Sequence, residues 1–151
     1  MSTIFFIFTI HILFFSKKNI PEKYIRSHKA QSGYVNVSTP ELTALDLIEN
    51  EKHIGGLNRV CTVLNELVDS IDFDKLNKDF FDLASTPIYQ RLGYILESIL
   101  EREDLADKFK SKFPLSLAMR NVPFKIGKST EDCEIDKKWK IIINQEIEID
   151  E

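Results

Sequence analysis

The sequence predicts an α+β fold: a central bundle of four to five helices with a small sheet formed from N-terminal and C-terminal strands. Three observations carry that expectation. Residues 38–113 place apolar side chains at helical spacing between recognisable helix starts. Ile4–Phe15 (IFFIFTIHILFF) is a short run rich in Ile and Phe, residue types that favour strands. Trp139–Asp150 alternates apolar and polar residues, the signature of a strand with one face buried. A helical middle bracketed by strand-rich ends is an α+β arrangement.

The chain has 151 residues, the length of one domain. It reads as a single domain over residues 1–151: a strand-rich basic segment 1–37, a helical core 38–113, and C-terminal strands 114–151. With 43% hydrophobic and 29% charged residues it has the composition of an ordinary globular protein. The net charge of -4 argues against a stand-alone nucleic-acid binder. The charge is uneven, however. Lys17, Lys18, Lys23, Arg26 and Lys29 against Glu22 give the first 37 residues +4, leaving -8 for the rest. Cys61 and Cys133 form no disulfide framework and no metal spacing, which points to a reducing cytoplasm. His11, His28 and His53 are isolated, and neither metal nor cofactor is expected.

Taken in order, Ile4–Phe15 reads as one or two buried strands ended by Lys17 and Lys18. A membrane-spanning helix needs roughly 20 apolar residues, and this run is shorter and contains Thr9 and His11. No positive charge precedes it and no small-residue cleavage pattern follows it, so a signal peptide is disfavoured. The competing reading is an export or anchor segment. Pro21–Ser32 holds one helical turn or two around Tyr24 and Ile25, and Gly33 turns the chain into the strand Tyr34–Val37. Ser38 with Glu41 fits a capping box, and Thr39-Pro40 fits a cap followed by proline at the first helical position. Leu42, Leu45 and Ile48 give that first helix its buried face. Gly55-Gly56 breaks it, and a second helix follows with the stripe Leu57, Val60, Cys61, Leu64, Leu67, Val68 and Ile71. Asp72 or Asp74 starts a third helix with Phe73, Leu76, Phe80 and Leu83 or Ala84 inward. Thr86-Pro87 starts a fourth with Ile88, Leu92, Ile95, Leu96 and Ile99 inward. Gly93 inside that helix calls for the close approach of another backbone. A fifth helix spans Arg102 to Phe113, and Pro123–Gly127 is an irregular or edge strand.

The sequence holds no nucleophile motif, metal spacing or glycine-rich phosphate fingerprint, so an enzyme is not expected. The pairs Asp72/Asp74 and Glu146/Glu148 read as solvated carboxylates. Gly55-Gly56 at a helix start could bind an anion, and Arg59 and Arg91 near the starts of two helices could face one phosphate or carboxylate partner. That gives the runner-up reading: a small nucleotide- or phosphate-binding enzyme using Gly55-Gly56 with Arg59 and Arg91. The competing role for both arginines is an internal salt bridge to Asp46, Glu66 or a neighbour.

Four segments in order, GYVNVSTPELTALDLIE, GGLNRVCTVLNEL, YQRLGYILE and WKIIINQEIEID, together resemble the C-terminal domain of the AbiEi family, antitoxins of type IV toxin–antitoxin (abortive infection) systems. The resemblance implies a cytoplasmic, non-enzymatic antitoxin effector domain that counteracts a nucleotidyltransferase-like toxin without a stable complex. Family members carry an N-terminal winged-helix domain that binds operator DNA and represses the operon. The residues before Gly33 show no helix-turn-helix, so operator binding is not carried over to this chain. The basic N-terminal segment is instead a candidate remnant of a DNA-facing surface. The motifs transfer no catalytic residues. Their polar members Asn58, Arg59, Gln90 and Arg91 are the candidate interaction surface.

Overall fold

The structure, a computed structural model, describes Ile12 and residues 14–149. It is an α+β protein with four helices and two small sheets among those residues. Strands β1 (Ile25–Ala30) and β2 (Gly33–Ser38) form an antiparallel hairpin. Helices α1 (Pro40–Glu49), α2 (Gly56–Leu67), α3 (Thr86–Tyr94) and α4 (Glu103–Lys112) build the core. Strands β3 (Val122–Pro123), β4 (Ile135–Asp136) and β5 (Ile141–Ile142) form a second sheet in the order β3–β5–β4.

The α1 start is capped by Thr39, whose Oγ1 accepts from the Leu42 N–H, with Pro40 in the first turn. The alternative capping box does not form. Ser38 Oγ pairs with Thr43 Oγ1, and Glu41 turns away to accept the Asp72 N–H at 2.7 Å. The expected stripe of α2 is buried from Leu57 to Leu64 and continues through Val68 and Ile71, with Leu67 half-buried.

The third helix does not form as expected. Residues 73–84 instead make two short 3-10 turns, Phe73–Lys75 and Lys78–Asp82. Asp72, Asp74, Asn77, Asp79 and Asp82 are dense here, and such side chains compete with the helical backbone for hydrogen bonds. Asp72 does so directly, accepting the Asp74 N–H. Phe73, Phe80 and Phe81 still reach the core, where rings of Phe81, Phe109 and Tyr89 pack together. Helix α3 begins at Thr86 as expected and continues as a π-helical turn over Ile95–Ile99, ended by Glu101 in the left-handed region at φ 54°.

The described residues form two separate sheets, the hairpin and the C-terminal ladder. Most of the Ile4–Phe15 strand expectation lies outside the described residues. The helical turn expected near Tyr24 forms as the single 3-10 turn Glu22–Tyr24, and Ile25–Ala30, not expected as a strand, is recruited as the partner of β2. Within the alternating Trp139–Asp150 segment, Ile141–Ile142 is the part that joins a ladder among the described residues. Ile143, Ile147 and Ile149 nevertheless pack half-buried against the core, while Asn144, expected to face outward, is buried and held by the Lys125 and Lys128 backbone.

Candidate interaction surface

The polar candidates divide by burial. Gln90 and Arg91 lie on α3 at 1% and 5% exposure, so neither forms part of an exposed surface. Gln90 Nε2 donates to the Arg120 and Trp139 carbonyls at 2.8 and 2.7 Å. Arg91 Nε donates to the carbonyls of Pro123 and Phe124, and Nη2 donates again to Pro123 at 2.8 Å. Both side chains therefore tie α3 to the backbone around β3 and β5, whose short ladders leave carbonyls in need of donors. Burial lowers the Arg91 pKa, partly offset by the nearby Glu51 carboxylate. The expected pairing of Arg59 and Arg91 around one anion is not offered, because the Arg91 donors Nε and Nη2 are held by carbonyls.

Arg59 stays at the surface, on the first turn of α2, and makes no hydrogen bond or ion pair among the described residues. The salt bridges weighed for it, to Asp46 or Glu66, are not formed. Asp46 instead holds Lys17 at 2.6 Å, and Glu49 holds the same ammonium at 3.0 Å. Asn58 is half-buried, and its Oδ1 is enclosed without a hydrogen-bond partner. The α2 start needs glycine: Gly55 and Gly56 sit at φ 107° and 84°. Among the described residues no side chain caps the helix, and Arg59 is exposed in its first turn.

The carboxylate pairs read as solvated are placed accordingly. Asp72 pairs with Lys75 and Asp74 with Lys108, while Glu146 and Glu148 are exposed. No group of His, Cys, Asp or Glu among the described residues is arranged to hold a metal ion. Cys61 is buried and its thiol is pushed up to about 12 by burial, and Cys133 is half-buried and free.

Sequence reasoning missed the cluster around Trp139. Its Nε1 donates to Glu97 Oε2, and Lys138 bridges Glu97 and Asp107. Lys110 lies 4.8 Å from the Trp139 ring centroid and 5.4 Å from that of Phe113. Burial lowers the Lys110 pKa, with Lys138 and Lys140 adding to the effect. A second missed link is Glu51, 6% exposed, which takes both oxygens to Lys125 Nζ. The only sequence signal for these links was a lone tryptophan in an alternating strand.

The family model for the AbiEi antitoxin C-terminal domain matches residues 14–98, more than half of the chain. The chain belongs to the AbiEi antitoxin C-terminal domain family. Membership assigns an antitoxin role in a toxin–antitoxin, abortive-infection setting, with a toxin as the counterpart, and the family is one of antitoxins rather than of enzymes. No curated protein matches the chain, and no solved structure does. Within the AbiEi match lie the hairpin, α1, α2, α3 and most of the π-helical turn. The structure extends the same packing beyond it, because Gln90 and Arg91 inside the match are held by residues 120–139 outside it. Among the described residues no helix is long and apolar enough to cross a membrane.

Proposed function

We propose that this AbiEi-family chain is the effector domain of a type IV antitoxin, acting in the cytoplasm against a nucleotidyltransferase-like toxin without forming a stable complex with it. The family match over residues 14–98 is the observation that carries the reading. Transcriptional regulation belongs, on this proposal, to relatives that carry a winged-helix domain. The surface nominated for antitoxin activity is the start of α2. Arg59 is exposed there with no hydrogen bond or ion pair among the described residues. Gln90 and Arg91 lie outside that surface and serve to fix α3 to residues 120–139.

Co-expression with the toxin encoded beside this gene tests the proposal. Growth arrest is relieved by the wild-type chain and relieved less by Arg59→Glu, whose melting curve matches wild type. Persistent arrest with a folded wild-type chain present would sink the antitoxin reading. Rescue undiminished by Arg59→Glu would remove only the nominated surface. A pull-down from the rescued cells distinguishes the modes: co-purification of toxin in equal amount contradicts action without a complex.

A further inference from the structure

The β1–β2 hairpin is unfinished as a sheet. Apart from Ile25 and Ser38 at its base, every residue of both strands is exposed. Its base is tied to the body by the Thr39 N–H donating to the Tyr24 carbonyl at 2.8 Å. Two strands alone are marginal in water, and a third strand or a packed helix is normally required.

The two edges differ in chemistry. β1 carries Arg26, His28 and Lys29, the kind of charge that protects an open edge. β2 reads Gly33-Tyr34-Val35-Asn36-Val37-Ser38, with no charged residue and no proline. Tyr34, Val35 and Val37 are 75%, 51% and 38% exposed. Among the described residues the β2 backbone makes no ladder except that to β1, so its outer N–H and C=O groups are open.

We propose that the open edge of β2 pairs antiparallel with β2 of a second copy of this chain, giving a four-stranded sheet. The charge distribution selects this edge and this occupant. Pairing through β1 would set Arg26 and Lys29 of one copy against those of the other. Pairing through β2 leaves the two β1 strands about 14 Å apart at ordinary strand spacing, beyond the roughly 10 Å range of unscreened repulsion. An uncharged edge has no feature that would recruit an acidic or basic strand, and its own copy matches it. The register Arg26↔Val37 and His28↔Val35 puts Val35 and Val37 on one face of the hairpin. A two-fold axis through the β2 pair brings the valines of both copies together on that face. An edge of six residues is small, so the association is weak and depends on concentration.

Sedimentation velocity of the full chain, from about 10 to about 500 µM to span a small interface, tests this. Wild type moves from monomer toward dimer across that range. The double variant Val35→Lys, Val37→Lys stays monomeric while keeping the wild-type circular dichroism and Trp139 fluorescence. In a Cys133→Ser background, a short bismaleimide links copies carrying Asn36→Cys and fails to link copies carrying Lys29→Cys. A wild type that remains monomeric at the highest concentration overturns the proposal. So does a dimer that survives the two lysines, or equal cross-linking from positions 36 and 29.

Discussion

Gly93 and Arg91 sit two residues apart on α3, and each is fixed by something far away in sequence. A Cβ on Gly93 would lie 2.2 Å from the Trp139 ring, so the close approach expected at this glycine comes from an indole and not from a backbone. Gly93→Ala forces a rigid ring to move and should cost about 1–3 kcal/mol, as overpacked cores do. A lower urea midpoint with an unchanged slope would show it. Arg91→Leu leaves the Pro123 and Phe124 carbonyls without their donor, an expected loss of about 2–3 kcal/mol. Arg59→Glu, at an exposed site without partners among the described residues, should stay within about 0.5 kcal/mol of wild type in the same assay. Equal destabilisation by the two changes would contradict the division between an internal clamp and a surface group. The sequence could not separate these arginines. Both follow a helix start by a few residues, and only the carbonyls contributed by residues 123–124 make one of them internal.

At the scale of elements, capping and apolar spacing were legible where they depend on neighbours within one turn. The starts of α1 and α3, the stripe of α2 and the extent of α4 follow from the chain itself. The segment between α2 and α3 was misread because its aromatic spacing suits a helix while its Asp and Asn residues oppose one. The conflict is resolved partly by Tyr89 of α3. Its hydroxyl donates to the Phe80 carbonyl at 2.6 Å and accepts the Ala84 N–H at 2.9 Å, pinning the second 3-10 turn. Tyr89→Phe should therefore lose about 1–3 kcal/mol, and proteolysis should cut first within residues 78–84. A variant as stable as wild type would show that the rings alone hold the turn. The hairpin illustrates the opposite limit. β2 was evident from its alternation, but β1 was not, because a strand of Arg, Ser, His and Lys carries no apolar period and is defined only by its partner.

For the whole molecule, burial of neutral acids links stability to alkaline pH. Burial, with Asp79 beside it, pushes Tyr24 up to about 12. Burial also pushes Tyr89 and Cys61 to about 12. The folded chain holds these protons at pH values where the unfolded chain releases them, from about 8.5 for a thiol and about 10 for a phenol. Their stabilisation is complete below those values and fades as pH rises toward 12. The urea midpoint should thus fall from about pH 9 upward, as expected for groups titrating above 8.5, and Tyr24→Phe should shallow the decline. A midpoint that stays level to pH 11, roughly where the unfolded phenols are ionised, would contradict this burial.

The sequence by itself determined the Thr39 cap of α1, the start of α3, the buried stripe of α2, the α+β class and membership of the AbiEi antitoxin family. All of these rest on local spacing and on residues that bury the core. Tertiary structure alone decided which polar residues remain available. Gln90 and Arg91 turn inward because carbonyls of residues 120–139 fold over α3, and a buried backbone acceptor must find a donor. Arg59 stays outside because it lies on the face of α2 opposite the buried Leu57, Val60 and Cys61. Among the described residues the pairings of β1 with β2 and of β5 with β3 and β4 were decided the same way, since strand pairing depends on partners that no local pattern names.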